Sequence, residues 1–379
     1  MKSSVVNIRT VDQLEKLFNR PVPIKDKNLM EKVLAIFPVR LTAHLLSLAK
    51  ISTAVEQQFL PDIREITDQI GQTHCFVGLL HTGVSGVERM YLDRCIIMPQ
   101  PACPAHCRFC FRKFYEHRQE RAMSFSQLNA ALSYVEHEKT IKEVLITGGE
   151  PAMDFERLGH LIGGLRCIEH VGPIRVACRS LITAPELIDK KFIQLLKNHQ
   201  DLRAGRPIEV ACHCNHPEEI SLQTVEALAQ LREAGIHVYN QTVLLKNINT
   251  DPLVMLSLTK KLRAHGVETY YIFFGGPVQG TSHLRPNIDQ ALKIKTKLRQ
   301  QATGRANPHF ILTTKLGKVE LGVDGWVTKR EPNNQHVWIR TPYTLESLSK
   351  IQPGFQLPKD SYVDKENQIV VRYLDGPTY

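Results

Sequence analysis

Three closely spaced cysteines are the strongest chemical signal in this sequence. Cys103, Cys107 and Cys110 fall within eight residues of a 379-residue chain and follow the spacing C-x3-C-x2-C. Thiolates are the ligands that iron–sulfur clusters require. Three of them leave one iron of a four-iron cluster without a protein ligand, so a small molecule can bind there, as at an open catalytic metal site. The spacing therefore predicts a [4Fe-4S] cluster with one open iron.

A structural zinc site is the alternative use of these cysteines. Such sites usually pair two C-x2-C knuckles or add histidines at a set spacing. The only further candidate ligands here are His106 and the pair Cys212 and Cys214, which a strand would place on one face. The chain has nine cysteines, and an odd number favours metal binding over a disulfide framework. We expect the six outside the cluster to be small, buried, apolar residues.

A glycine pair downstream of the cysteines is the second signal. Gly148 and Gly149, followed by Glu150 and Pro151, end an apolar run over Val144 to Thr147. Two glycines after a strand expose the backbone beside a ligand. A plain turn is the commoner meaning of such a pair, but its position after the cysteine motif favours a ligand site.

The elements that must position these residues alternate between strands and helices. Strands are predicted at residues 95–98, 144–147, 174–178, 208–212, 238–245 and 270–274, and helices at 123–134, 187–196, 222–231, 253–262 and 288–298. This alternation indicates βαβ units and a parallel sheet, in which chemistry lies at the carboxyl ends of the strands. We count about six units, short of the eight of a complete barrel.

The fold class predicted from this pattern is α/β with three regions. Residues 1–94 form an N-terminal helical region, because apolar residues recur at helical spacing in Val11–Phe18 and Leu41–Leu48. Residues 95–300 form a partial (β/α)6 barrel of the TIM type. Residues 301–379 are richer in β and turn signals, and we predict a C-terminal α/β extension there.

Composition argues against several classes of protein. No run of about 18 apolar residues occurs, and no apolar segment precedes Asp12, so we expect no membrane span, no signal peptide and a cytoplasmic location. The net charge of +10 would suit a nucleic-acid partner. Lys and Arg are spread along the whole chain, however, and the densest run, Arg108 to Arg121, is interleaved with the cysteines. A generally basic surface is the favoured interpretation, and an RNA- or protein-binding module with a structural metal is the least favoured function.

The cysteine spacing, with Phe109 before the last cysteine, resembles the signature of the radical S-adenosylmethionine (SAM) superfamily. Further segments, over about residues 85–330, resemble the lysine 2,3-aminomutase family in order and spacing. They are Tyr91-Leu-Asp-Arg94, Cys110-Phe-Arg112, Ile174-Arg-Val-Ala-Cys-Arg179, His213-Cys-Asn-His216-Pro217, Asn240-Gln-Thr-Val-Leu-Leu245, Tyr270-Tyr-Ile-Phe273 and Gly280-Thr-Ser-His-Leu-Arg285.

The resemblance implies a SAM site beside the cluster. The open iron would chelate the amino and carboxylate groups of SAM, and reductive cleavage would yield a 5′-deoxyadenosyl radical. Phe109 would lie near the adenine. The implied electron donor is a protein of the flavodoxin or ferredoxin type. The other residues that the resemblance places at SAM are Gly148, Gly149, Glu150, Arg179 and His213.

The resemblance also implies pyridoxal 5′-phosphate (PLP), bound to a lysine as a Schiff base. Lys318 is the better match to that lysine because the apolar Val319 follows it; Lys315 is the rival, since the family's glycine-rich run is shortened here. Arg94 and Gln241 match residues that hold the PLP phosphate. Arg89 is a weaker match, because one residue is inserted between it and Arg94.

The implied activity is amino-acid 2,3-aminomutation, with a radical SAM decarboxylation or epimerisation as the alternative. Arg112 matches the residue that binds the substrate α-carboxylate. Lysine mutases place carboxylates around the substrate ε-ammonium, but the aligned residues here are Gly276 and Thr313. A buried ammonium without a counter-charge is costly, so free lysine is not the expected substrate. No cysteine follows Cys214, so the family's zinc-linked oligomer is in doubt and the state of any homo-oligomer stays open.

Overall fold

The computed structural model describes residues 4–68, 80–113, 121–314, 316–322, 327–332, 335–341 and 343–376. Lys315 and Cys75 lie outside these ranges. None of the described helices has the length and apolar character that a membrane crossing requires.

The N-terminal region is helical, as predicted, but it also contains a small sheet. Strand β1 (Val5–Ile8) pairs antiparallel with β2 (Val39–Thr42), which takes up only the first two residues of the helix predicted over Leu41–Leu48. The helices are α1 (Val11–Phe18), α2 (Lys27–Ile36), α3 (Ala43–Ala49), α4 (Thr53–Phe59) and α5 (Arg64–Thr67). Their apolar faces, together with the two strands, bury a separate core around Leu34, Leu41 and Phe59.

A ten-stranded sheet forms the centre of the molecule. Its strands lie side by side in chain order: β3 (Leu80–His81), β4 (Val87–Arg89), β5 (Arg94–Gln100), β6 (Glu143–Gly148), β7 (Ile174–Cys178), β8 (Ile208–Cys212), β9 (His237–Leu244), β10 (Glu268–Phe274), β11 (His309–Thr314) and β12 (Gly317–Glu320). Strands β5 to β11 are parallel, and β3, β4 and β12 add antiparallel edges.

Helices connect the parallel strands, so the six predicted βα units are confirmed. They are α6 (Phe125–His137), α7 (Phe155–Cys167), α8 (Ser180–Thr183), α9 (Lys190–His199), α10 (Leu222–Glu233), α11 (Pro252–Ala264) and α12 (Ile288–Gln301). On β6, Val144 and Ile146 are fully buried in the core with Leu158 and Leu161 of α7. Leu145, between them, points to the opposite face, because side chains alternate along a strand.

The two ends of the sheet approach each other. The backbone N–H of Lys318, on the edge strand β12, lies 3.3 Å from the hydroxyl oxygen of Tyr91, which precedes β5. Within the described ranges no ladder of backbone hydrogen bonds joins β12 to the other edge. The sheet is therefore a curved, open barrel of the predicted partial TIM type.

A second, antiparallel sheet follows the barrel. It has the order β13 (Val327–Arg330), β14 (His336–Arg340), β16 (Ile369–Leu374) and β15 (Ser361–Val363), with α13 (Leu345–Ile351) between β14 and β15. It contacts the barrel through Arg285, which donates a 2.7 Å hydrogen bond to the carbonyl of Leu374. The large sheet runs past both boundaries drawn from the sequence, since β3 and β4 precede residue 95 and β11 and β12 follow residue 300.

Candidate active site

The three clustered cysteines lie on the loop that follows β5, at the carboxyl end of the parallel sheet. All three are partly exposed. Within the described ranges, no three His, Cys, Asp or Glu side chains meet around a point that could hold a single metal ion. A cluster does not require such a point, because each thiolate binds its own iron. The donor set and its place in the sheet fit a three-cysteine cluster.

A buried group of charges fixes this loop to the N-terminal region. The Arg108 guanidinium is fully buried and donates from Nε to the Glu65 carboxylate at 2.8 Å and from Nη1 to the carbonyl of Phe37 at 2.8 Å. Lys113 also contacts Glu65. Burial alone would raise the pKa of Glu65, but the two cations hold that pKa below its usual value. Helix α5, which carries Glu65, thus helps to shape the cysteine loop.

The glycine pair allows β6 to approach the start of the cysteine loop. The N–H of Gly149 donates to the carbonyl of Gln100, and the N–H of Glu150 donates to the carbonyl of Ala102, both at 2.8 Å. A Cβ on Gly148 would lie 2.7 Å from the Gln100 carbonyl oxygen, and one on Gly149 would lie 2.5 Å from the backbone of Pro101. The glycines therefore make room for protein backbone at the start of the cysteine loop, and their place beside SAM stays a prediction.

Gly149→Ala should consequently weaken cluster binding. The added methyl group would displace the backbone at the root of the cysteine loop, and backbone yields less easily than a flexible side chain. We expect severalfold less iron per chain after anaerobic reconstitution. The matched control is Gly159→Ala in α7, where the new methyl would make an ordinary 3.6 Å contact with Leu195. Full iron content in the Gly149 variant would show that the loop tolerates the displacement.

The side chain of Glu150 is buried and points into the protein. Its side chain accepts hydrogen bonds from the N–H of Ser180 at 2.9 Å and from the N–H of Ala152 at 3.3 Å. Burial raises its pKa to about 7, and these backbone donors oppose the rise. The carboxylate thus ties the end of β6 to the start of α8, next to Arg179.

Arg179, His213 and Phe109, which the sequence predicted near SAM, come together above the cysteine loop. The Arg179 guanidinium lies 5.0 Å from the centre of the Phe109 ring, and the ring of His213 lies 5.5 Å from it. Arg179 also donates to the carbonyl of His213 at 2.9 Å. Burial and the nearby guanidinium lower the pKa of His213 well below its usual value, so the imidazole is neutral.

The same guanidinium acts on a cluster cysteine. Cys107 is crowded by protein atoms although part of it is accessible, and this burial raises its pKa to about 11. The charge of Arg179 opposes that rise. A cation beside the loop favours the thiolate form, which is the form that binds iron.

Lys318 lies inside the barrel. Its Nζ is 4.8 Å from the centre of the Tyr271 ring and 5.1 Å from that of Phe273, both on β10. Burial, followed by the charges of Arg175 and Arg94, lowers its pKa to about 7, while Glu143 acts in the opposite direction. A large part of this amine is therefore uncharged near neutral pH.

Comparison with known proteins agrees with this geometry. Residues 97–258 match the model of the radical SAM superfamily. A putative L-lysine 2,3-aminomutase of Aquifex aeolicus is 31% identical over 333 residues, covering 86% of this chain and 88% of that protein. The chain belongs to the lysine 2,3-aminomutase family. It is therefore a radical SAM enzyme, and its superfamily cofactors are a [4Fe-4S] cluster and SAM.

Other aminomutases and solved structures are similar as well. A glutamate 2,3-aminomutase of Clostridioides difficile is 31% identical, covering 82% of this chain and 72% of that protein. The family's named members are thus isomerases that act on different amino acids. A solved radical SAM methyltransferase of Sphaerobacter thermophilus is 17% identical, with a TM-score of 0.45 and coverage of 61% of this chain and 69% of that one.

Two residues matched to the PLP phosphate in the lysine 2,3-aminomutase family line the barrel near Lys318. The Arg94 guanidinium, on β5, lies 4.2 Å from the centre of the Tyr91 ring and is close enough to lower the pKa of Lys318. Gln241, on β9, is the cross-strand neighbour of Tyr271. Both therefore lie on strands that surround the amine.

Arg89, the weaker match, does not join them. Its guanidinium donates to Glu138 at 2.7 Å, to Thr140 at 2.6 Å and to the carbonyl of Leu92 at 2.7 Å. These partners hold it against α6 and the loop before β6. These contacts indicate a structural role for Arg89.

Arg112, matched to the family's substrate carboxylate anchor, already has an acidic neighbour. Its Nη2 lies 3.4 Å from the carboxylate of Glu88 on β4, and its Nη1 contacts the sulfur of Met98 on β5. The two positions at which lysine mutases carry carboxylates lie at the carboxyl ends of two neighbouring strands. Gly276 follows β10, and Thr313 on β11 is the direct cross-strand neighbour of Lys318.

Sequence reasoning missed the residues that support the site from a distance. Glu65 and Gln58 contact the cysteine loop from the N-terminal region, since the N–H of Arg108 donates to the carbonyl of Gln58 at 2.8 Å. Tyr343 reaches Lys318 from the C-terminal region. No motif marks Glu65, Gln58 or Tyr343. Tyr91, which also contacts the backbone of Lys318, lies in a segment matched to the family.

Proposed function

We propose that this enzyme uses PLP together with SAM and moves an amino group from Cα to Cβ of an amino acid other than free lysine. The observation that supports this most strongly is the amine of Lys318. It lies inside the barrel, against two aromatic rings, with its pKa lowered to about 7. A lysine must be uncharged to form a covalent bond with a carbonyl compound, and desolvation is the usual way of providing an uncharged amine near neutral pH.

Residues of this chain are available to bind each of the three cofactors: the cluster, SAM and PLP. Cys103, Cys107 and Cys110 would bind three irons, and Phe109 with Arg179 and His213 would border the SAM at the fourth. Arg94 and Gln241 would hold the PLP phosphate, for which a guanidinium is a suitable partner. When bound, the cluster and SAM supply a hydrogen-abstracting radical, and PLP carries the migrating amino group.

The remaining residues bind and orient the substrate. A guanidinium can donate two hydrogen bonds to one carboxylate, so Arg112 would bind the α-carboxylate of the substrate. Glu88 lies 3.4 Å from the same guanidinium, and it would hold Arg112 in position for the substrate carboxylate. Tyr271 and Phe273 exclude water around the lysine amine. An outside electron donor, which we propose to be of the flavodoxin or ferredoxin type, would reduce the cluster.

Product analysis tests the reaction type. Protein reconstituted anaerobically with iron, sulfide and PLP is incubated with SAM, a reductant and each amino acid in turn. We expect one amino acid to yield its β-amino isomer. A decarboxylated or epimerised product would show that the chemistry has another outcome.

Chemical trapping tests the PLP lysine. Borohydride reduction of the PLP-loaded protein followed by peptide mapping should place the label on Lys318. Its yield should rise between about pH 6 and pH 8, because the amine loses its proton around its pKa of about 7. Lys318→Ala should abolish the label and Lys315→Ala should keep it. Label on Lys315 alone would move the role to that residue, and no label on either would remove PLP from the proposal.

A further inference from the structure

Among the strands that the structure describes, none lies on the outer side of β12, the edge strand that carries Lys318. In the antiparallel pair β11–β12, Lys318 stands opposite Thr313. Its own N–H lies 3.3 Å from the Tyr91 hydroxyl, and its carbonyl accepts a 2.9 Å hydrogen bond from the hydroxyl of Tyr343. Both outward-facing backbone groups of this one residue are therefore bound by phenols, in place of a neighbouring strand.

The two tyrosines come from separate parts of the chain. Tyr91 lies between β4 and β5, at the opposite end of the sheet, and Tyr343 lies between β14 and α13 in the C-terminal region. Burial raises the pKa of Tyr343, and the nearby phenol of Tyr91 raises that pKa further. The two tyrosines thus form a bridge across the open seam of the barrel, and Lys318 is at its centre.

Packing around Gly317 shows how tightly this bridge is built. Gly317 has φ of 125°, which an L-residue with a side chain rarely adopts. A Cβ at this position would lie 2.7 Å from the Tyr343 hydroxyl oxygen and 3.4 Å from the sulfur of Met90. Only glycine allows the strand to pass this close to the phenol directly before Lys318.

We propose that Tyr91 and Tyr343 are positioning residues, whose hydroxyls fix the peptide of Lys318 so that its amine stays between Tyr271 and Phe273 inside the barrel. The reason is geometric: a lysine side chain has four rotatable bonds, and a fixed backbone at an edge strand restricts where they can place the amine. The importance of this for catalysis rests on the proposed PLP function, but the position of the amine can be measured without PLP.

The test measures the protonation of Lys318 in PLP-free protein. Competitive acylation over a range of pH, read by peptide mass spectrometry, gives the midpoint at which the amine becomes reactive. We expect a midpoint near pH 7 in the wild type. In Tyr343→Phe and Tyr91→Phe the amine should gain access to water, and the midpoint should rise to roughly pH 8 or above, since lost desolvation restores the ordinary lysine pKa.

The charged and titratable groups that face the amine are not mutated in either variant. They are Arg94 on β5, Glu143 on β6, Arg175 on β7 and Tyr271 on β10. The matched control is Tyr362→Phe, which removes the exposed hydroxyl of a tyrosine on β15 in the C-terminal region. Its midpoint should equal that of the wild type. PLP trapped on Lys318 at limiting PLP should fall severalfold in the two test variants and be unchanged in the control.

The outcomes separate the two proposals. A lower melting temperature with an unchanged midpoint in both variants would show that the phenols only stabilise the fold, and would overturn the positioning role. If one variant does not fold, the midpoint of the other variant decides whether the phenols position the amine. A wild type that traps no PLP but shows the shifted midpoints in the variants would contradict the proposed function and leave the positioning role supported.

Discussion

Replacing any one of Cys103, Cys107 and Cys110 with alanine should abolish reductive cleavage of SAM. Each thiolate binds a separate iron, so no remaining ligand can take over the lost position. We expect the rate of 5′-deoxyadenosine formation to fall by at least about 1,000-fold, which corresponds to about 4 kcal/mol of transition-state stabilisation. The measurement is 5′-deoxyadenosine release by anaerobic, reconstituted protein with a chemical reductant.

Cys167→Ala provides the control for this series. Cys167 is an exposed, free thiol at the end of α7, away from the cysteine loop. Its replacement should leave the iron content and the cleavage rate unchanged. Full cleavage activity in any of the three single cluster variants would refute the assignment of the ligands.

Free lysine should be turned over at least about 100-fold less efficiently than the true substrate, a difference of roughly 2.7 kcal/mol in transition-state binding. The positions at which lysine mutases carry carboxylates are occupied by Gly276 and Thr313, which cannot balance an ammonium. An uncompensated charge is costlier to bury than a missing methylene, so charge discriminates more strongly than size. The measurement compares kcat/KM for lysine with that for the substrate found by screening. Efficient production of β-lysine by the wild type would contradict this prediction.

Adding carboxylates at these two positions should weaken the discrimination against lysine. The double variant Gly276→Asp with Thr313→Asp should increase lysine turnover, provided that the distal pocket keeps the family geometry. The matched control is Gly276→Asn with Thr313→Asn, which adds similar volume without charge and should not increase it. Because Thr313 is the cross-strand neighbour of Lys318, Asp at 313 should also raise the pKa of the Lys318 amine and shift PLP trapping to higher pH.

The barrel was predictable because its strands are buried on the helical side and read as short apolar runs. Ile174–Cys178 and Ile208–Cys212 have the limits that the sequence indicated. Helix α7 was not predicted, and it contains three glycines, which are poor helix formers. One of them, Gly164, lies where a Cβ would be only 2.9 Å from Cδ2 of Leu132 on α6. Tertiary packing there outweighs helix propensity.

Contacts between residues far apart in the sequence explain the other differences between the predicted and the observed structure. Strands β1 and β2 are four residues long and pair segments about 30 residues apart, so local patterns could not reveal the small N-terminal sheet. The cysteines and Lys318 could be proposed from motifs, because cofactor chemistry restricts the residue types. Glu65 and Tyr343 could not, since their roles arise from contacts across 43 and 25 residues of sequence. The expectation that all other cysteines are buried was wrong for Cys167.

The buried group of Glu65, Arg108 and Lys113 limits how this enzyme can be divided or recombined. A chain that began at the barrel would retain both cations without their carboxylate, in a region that water does not reach. Removing one partner of such a group leaves a charge that burial strongly disfavours. The N-terminal helices therefore cannot be exchanged as a free-standing module. A chimaera that exchanges the N-terminal helices with those of a relative would have to take Glu65 and the cysteine loop from the same protein.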